Sequence, residues 1–228
     1  NKKTIVSIFV NPKQFNNVKD FKTYPANIKK DLAILKKIKK LDFVYIPKFK
    51  DVYENKKKSE IRIKKKYKIL CAKFRKNHFE GVLDVMNRLT KLINTNKIFM
   101  GKKDIQQLFL VKNFIENKFN TKVIGCRTIR NRSKLALSSR NFLLKQSELN
   151  DVEKISKNFL NLKNKIKYTK NINQFLKKTK KDFERFFNIK IEYLENRNTK
   201  NLTISNKYQG SKVFLSYYYK NIRLIDNF

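Results

Sequence analysis

Gly101-Lys-Lys-Asp-Ile-Gln-Gln-Leu108 lies where a short apolar run gives way to an amphipathic pattern, and its reading decides the fold. Phe99 and Met100 close a run that predicts a buried strand, and Ile105, Leu108, Val111, Phe114 and Ile115 then recur at helical spacing. A strand-to-helix turn leaves backbone N–H groups and the positive end of the helix dipole facing outward, which suits the phosphates of a nucleotide. Asp104 is expected at the N-cap, with Gln107 completing a pair that resembles a capping box. Taken alone, the stretch is also what a capped helix with solvated lysines would show.

Two further clusters shift that balance. Leu135-Ala-Leu-Ser-Ser-Arg-Asn141 follows a second apolar strand at 123–126 and sets two hydroxyls and a guanidinium side by side, a set suited to a triphosphate. Phe9-Val-Asn-Pro-Lys-Gln-Phe15 ends the first strand. Polar clusters at the C-terminal ends of three parallel strands are expected to converge on one crevice.

In this order and spacing the three motifs resemble those of the pantothenate synthetase family, whose members carry a Phe-Val-Asn-Pro-x-Gln-Phe strand end, a Gly-Glu-Lys-Asp-x-Gln-Gln-Leu turn and a Leu-Ser-Ser-Arg-Asn loop. Tyr24-Pro25 with Asp31-Leu32, His78-Phe-Glu-Gly-Val82 and Arg223-Leu-Ile-Asp-Asn227 extend the likeness along the whole chain.

The resemblance implies a Rossmann-like, doubly wound parallel sheet of nucleotidylyltransferase type, lacking its first strand, followed by a small α+β domain. It implies ATP-dependent condensation of pantoate with β-alanine through a pantoyl-adenylate, with Mg²⁺ accompanying ATP and a homodimer as the assembly. Carried over residue by residue, Gln14 and Gln107 would hold pantoate. Gly101, Lys102, Lys103, Asp104, Ile129, Leu137, Ser138, Ser139 and Arg140 would form the ATP site, Lys103 neutralising phosphate and residues 138–140 clamping it from a mobile loop. His78 flanks the pocket in the family and stays outside the catalytic set.

The family also carries a Pro-Thr-Met-Gly-x-Leu-His-x-Gly-His loop whose histidines stabilise the transferred phosphate, and the sequence from Asn1 onward has no counterpart. No catalytic residue is therefore assigned, no protein metal ligand either, and residues 1–228 alone are expected to be inactive or nearly so. Lys102 stands where the family has glutamate, Lys134 where it has glycine, Ala26 where it has arginine and Arg127 where it has proline. A decayed relative, inert or binding polyanions through its lysines, is the alternative.

Composition bounds these readings. The net charge of +38 invites a nucleic-acid partner, but only ten of the 56 basic residues are arginine. The lysines are scattered and accompany abundant asparagine, isoleucine and phenylalanine, a set that A- and T-rich codons explain together. A surface selected for nucleic acid would favour arginine, so no specific nucleic-acid partner is expected. No apolar run approaches the roughly 18 residues of a membrane span, and a cytoplasmic protein is expected. Cys71 and Cys126, both beside apolar residues, are expected to be buried thiols.

Outward from the three motifs, residues 4–10 predict a strand buried on both faces, and 27–40 a helix with Ile28, Leu32, Leu35 and Ile38 on one stripe. A strand follows at 41–47, a lysine-rich excursion at 51–67 with a short strand at 60–63, and a helix after His78. Beyond the strands at 98–100 and 122–126 come helices near 151–162 and 172–187 and strands at 190–194 and 212–218, in which Phe186, Phe187 and residues 217–219 read as core. Two domains are expected, 1–141 for nucleotide and pantoate and 142–228 for the small α+β unit.

Overall fold

The computed structural model describes residues 2–53 and 59–228. In chain order the first part runs β1 (Ile5–Ser7), α1 (Val18–Lys22), α2 (Ile28–Leu35), β2 (Phe43–Tyr45), α3 (Phe49–Val52), α4 (Cys71–Phe74) and α5 (His78–Ile93). It continues with β3 (Lys97–Gly101), α6 (Ile105–Lys118) and β4 (Lys122–Cys126). Helices α7 (Gln146–Ile166) and α8 (Ile172–Phe187) then precede β5 (Lys190–Asn198), β6 (Ser211–Tyr219) and β7 (Ile222–Asn227).

The strand–helix alternation produces the expected α/β fold. Among the described residues the parallel strands form two pairs, β1 with β2 and β3 with β4, while β5, β6 and β7 form an antiparallel sheet. Among the described residues β1 pairs only with β2, and this accounts for the main departure from expectation. Residues 4–10 contribute only a three-residue strand, and it is not buried on both faces, since Ile5 is exposed and so are Phe43 and Val44 beside it on β2.

The other differences are local. Helix α2 stops at Leu35, short of the expected 40, and exposes Ile28 and Ile38 of its stripe. Residues 60–63 form no strand, although Ile63 is buried in the core, and 54–58 of the expected excursion lie outside the described residues. Cys71 is buried as expected, whereas Cys126 is exposed at the end of β4. Phe187 packs on the core and Tyr217 lies within it, but Phe186 is 80% exposed because it faces away from the helix stripe.

Period-2 alternation, broken once by a register shift between Ile191 and Tyr193 of β5, divides the side chains of the C-terminal sheet between two cores. Ile191, Val213, Leu215, Tyr217 and Leu224 pack against Ile155, Phe159, Leu162 and Leu176 of α7 and α8. From the opposite face Tyr193, Phe214 and Ile225 join Phe79, Val82, Val111 and Ile115 of α5 and α6. The sheet is thereby covered on both sides, and β7 is brought against the turn that follows β3.

Backbone contact on the other side fixes the end of β1. The buried Asn11 donates from Nδ2 to the Gly81 carbonyl (3.1 Å) and accepts at Oδ1 from Tyr53 Oη (3.0 Å) and the Lys13 amide (3.2 Å). Residues Pro12–Gln14 form a 3-10 turn seated directly on α5. A Cβ on Gly81 would lie 2.3 Å from the Lys13 carbonyl oxygen, so no other residue fits without moving that turn. Gly81→Ala is therefore expected to destabilise the protein by about 1–3 kcal/mol in urea unfolding. An unchanged midpoint would show that the turn yields freely.

Candidate anion-binding site

A cavity of about 330 Å³ opens where the three motifs meet, within the range of small-molecule sites, roughly 300–1,000 Å³. It is lined by Gln14 from the turn after β1, by Lys103, Asp104 and Gln107 from the turn after β3, and by Leu137, Ser138, Ser139 and Arg140 from the loop after β4. Eight of the eleven residues expected at the site thus share one cavity. Gly101, Lys102 and Ile129 do not line it. Gly101 ends β3 in the open, the stem of Lys102 lies across Gly125, and Ile129 is 58% exposed. Ile129 stands one step from the lining, its carbonyl accepting from the Leu137 amide at 3.0 Å.

The turn after β3 is built differently from a capping box. Residues Lys102–Asp104 form a 3-10 turn ahead of α6, and Asp104 occupies the N-cap position without a side-chain capping bond. The turn is held from across the molecule instead. Asn227 Nδ2 of β7 donates to the carbonyls of Lys102 (2.8 Å) and Lys103 (2.7 Å). The consecutive glutamines divide the work. Gln106 is buried and donates to the carbonyls of Tyr67 and Ile69, anchoring α6, while Gln107 faces the cavity.

The serine-arginine loop is latched rather than free. Ser139 Oγ donates to Tyr24 Oη at 2.8 Å, and Arg140 Nη2 donates to both carboxylate oxygens of Asp20 at 3.0 and 2.8 Å. Tyr24 is in turn packed edge-on against Phe15. The latch uses one nitrogen of Arg140, leaving Nε and Nη1 without protein partners among the described residues.

Sequence reasoning missed Arg75 and gave Arg223 no role, yet both line the cavity. Arg75 has no carboxylate within ion-pair distance among the described residues, and its guanidinium lies below its ordinary pKa because of burial and then the charges of Arg140 and Arg223. Two signals were available. Arg75 stands three residues before His78, and arginine is scarce in this lysine-rich chain, so each one marks a place where the planar fork is needed.

His78 joins these parts without being free to act as an acid. Arg75 Nη1, which can only donate, is 2.8 Å from Nε2, so Nε2 accepts. Nδ1 then carries the proton and donates to the Gln14 carbonyl at 2.7 Å. Burial, followed by the charge of Arg75, depresses the imidazole pKa to about 3. The remaining lining carboxylates are Asp104 and Asp226, and Asp226 is paired with Arg130 at 2.6 Å. Fixed positive charge outweighs negative in the cavity wall, an arrangement that receives anions.

Fold and cavity together define an α/β protein with a cationic cavity at the ends of its parallel strands, of a size and charge suited to a small phosphorylated or carboxylated molecule. The chain belongs to the pantoate-beta-alanine ligase family, whose profile matches residues 1–228. A pantothenate synthetase of Flavobacterium psychrophilum is 34% identical over all of this chain and 82% of its own length. One from Francisella tularensis subsp. mediasiatica is 35% identical over 98% of this chain and 78% of its own. Among solved structures, pantothenate synthetase from Thermus thermophilus superposes with a TM-score of 0.91 at 25% identity, covering 100% of this chain and 83% of that one. Pantoate-beta-alanine ligase from Francisella tularensis, complexed with beta-gamma ATP and beta-alanine, gives 0.83 at 32% identity, covering 100% and 79%. These relatives do not favour the polyanion-binding alternative. No helix among the described residues is long and apolar enough to cross a membrane.

The neutral His78 gives a pH signature. Its folded pKa, about 3, lies below the ordinary value of 6.5, so the unfolded state binds the extra proton first and stability is lost as pH falls from about 6.5 towards 3. Between pH 7 and pH 5 the native protein should lose about 2 kcal/mol of unfolding free energy that a His78→Gln variant does not lose. Parallel pH dependences in urea titrations would show that the imidazole protonates in the fold.

Proposed function

We propose that the protein to which this chain belongs catalyses the ATP-dependent condensation of pantoate with β-alanine, forming a pantoyl-adenylate and releasing pyrophosphate and AMP. The reading is carried by the meeting of Lys103, the 138–140 loop and both glutamines, Gln14 and Gln107, on one cationic cavity. Family membership and the Francisella ligase crystallised with beta-gamma ATP and beta-alanine support it.

The chemistry asks for two things: charge neutralisation where pyrophosphate departs from the α-phosphate, and close alignment of two small substrates. Lys103 and Arg140 supply the first, with Ser138 and Ser139 donating to phosphate oxygens. Gln14 and Gln107 supply the second by fixing pantoate so that its carboxylate meets the α-phosphate. Gly101, Lys102 and Ile129 contribute to the nucleotide from outside the cavity proper. Asp104 is the lining carboxylate without an arginine partner. Asp104 would meet the ribose, and Mg²⁺ would be carried by the triphosphate and its waters without a ligand from this wall.

The same reading makes the protein a cytoplasmic homodimer with a nucleotide-binding part at 1–141 and a smaller one at 142–228. Apolar side chains left open on α2 and β2, with Ile34 55% and Phe43 54% exposed, support a partner surface on the first of these.

The test is AMP release by the complete protein in a coupled assay, which should require ATP, pantoate and β-alanine together. Lys103→Met should lower kcat/KM by roughly 10²- to 10³-fold, the loss typical of removing a transition-state charge contact, with the melting temperature little changed. AMP release that ignores either acid substrate, or none at all, would rule the reaction out.

A further inference from the structure

The terminal Arg223–Asn227 stretch is only partly accounted for by these roles. Asn227 secures the turn after β3 and Asp226 pairs with Arg130, but Arg223 is bound on one side only. Its Nε and Nη2 donate to Oε2 of Glu192 at 2.8 and 2.6 Å, and Nη2 also reaches Cys71 Sγ at 3.4 Å. Glu192 is fixed further by Ser216 Oγ at 2.8 Å. The Arg223 side chain is only 9% exposed, yet it lines the cavity, and its Nη1 is buried with no partner among the described residues.

A structural ion pair accounts for Nε and Nη2 and leaves Nη1 unexplained. A buried guanidinium N–H without an acceptor is costly and uncommon, and its natural complement is an anionic oxygen. Arg75 and Arg140 share the same lining, and Arg75 feels the charge of both other arginines. Three like charges around one hollow repel one another until an anion enters it.

We propose that Arg223 is an oxyanion-binding residue of the cavity: Glu192 grips the guanidinium from behind, and Nη1 donates to a phosphate or carboxylate oxygen of the bound ligand. This rests on the ligand site proposed above and adds to it a contact from the C-terminal sheet.

R223K keeps a cation for Glu192 and loses the planar fork that carries Nη1. The complete native protein and R223K are titrated by calorimetry with pyrophosphate, pantoate and β-alanine separately. R223K should bind one of the three roughly 10- to 100-fold more weakly, pyrophosphate marking a phosphate contact and either acid a carboxylate contact. Equal affinities of native and variant for all three overturn the proposal while leaving the cavity's reading intact. A native protein that binds none of them overturns both. Should R223K fail to fold, native protein labelled with ¹⁵N-arginine is titrated instead. A saturable shift of the Arg223 side-chain resonances supports the contact, and no shift with any of the three overturns it.

Discussion

The hold of Asn227 on the backbone after β3 is the constraint from which the site follows. One carboxamide donates to two consecutive carbonyls, Lys102 and Lys103, and so defines the turn that presents Lys103, Asp104 and Gln107. The bond is possible because β7 lies within a sheet buried on both faces. Leu224 points into the α7–α8 core, while Arg223, Ile225 and Asn227 alternate towards the first part of the chain. Apolar packing of Phe214 and Ile225 against the α5–α6 core thus has a polar result, the placement of a lysine and an arginine on one cavity.

Electrostatics in this wall follow from which cations are paired and how completely. Arg130 is matched by Asp226 through two short contacts, and Arg140 by Asp20 through a single nitrogen. Among the described residues Arg75 has only neutral partners, an imidazole nitrogen and the Gln14 carbonyl. That choice sets the state of His78. Protonation would place a second positive charge 2.8 Å from a guanidinium in a buried site, and the imidazole stays neutral. His78 is thereby committed to holding the Gln14 backbone and Arg75 together. Gln14 is fixed twice, by this bond and by the seating of its turn on Gly81.

What could be read from the sequence was whatever chemistry is written in neighbouring positions. The helix at 172–187 and the strand at 122–126 are found as expected because their apolar spacing is uninterrupted. The strand end at 11–15, the turn at 101–108 and the loop at 135–141 each carry their polar groups within a few residues, and the expected cavity forms from them. Contacts spanning the chain left no such trace. Ser139 with Tyr24 and Asn227 with Lys102 are separated by 115 and 125 positions, and nothing local distinguishes these side chains from solvated ones. The buried two-faced strand expected at 4–10 failed for a related reason, because hydrophobic letters specify a demand for burial and cannot say which neighbour supplies it. Arginine content was the signal overlooked. Among ten arginines in a lysine-dominated chain, Arg75, Arg140 and Arg223 converge on the cavity.

Lys134 shows how this chain maintains a turn after losing the residue best suited to it. Its φ of +70° lies in the left-handed region, where a side chain costs about 1–2 kcal/mol, and the resemblance places a glycine there. The conformation is imposed by its surroundings. The Lys134 amide donates to the Asn131 carbonyl (3.0 Å), and Asn131 Oδ1 accepts from the Leu135 amide (2.9 Å). The Lys134 carbonyl accepts from Arg130 Nη1 (3.0 Å) and Ser156 Oγ (3.4 Å). Several modest bonds, each worth about 0.5–1.5 kcal/mol, are enough to offset one unfavourable dihedral. With the turn held, Leu135 and Ala136 are buried and Leu137, Ser138 and Ser139 are delivered to the cavity wall. The substitution is therefore carried as strain by the loop, while the geometry that the loop serves is preserved by Arg130, which Asp226 of β7 holds from the other side.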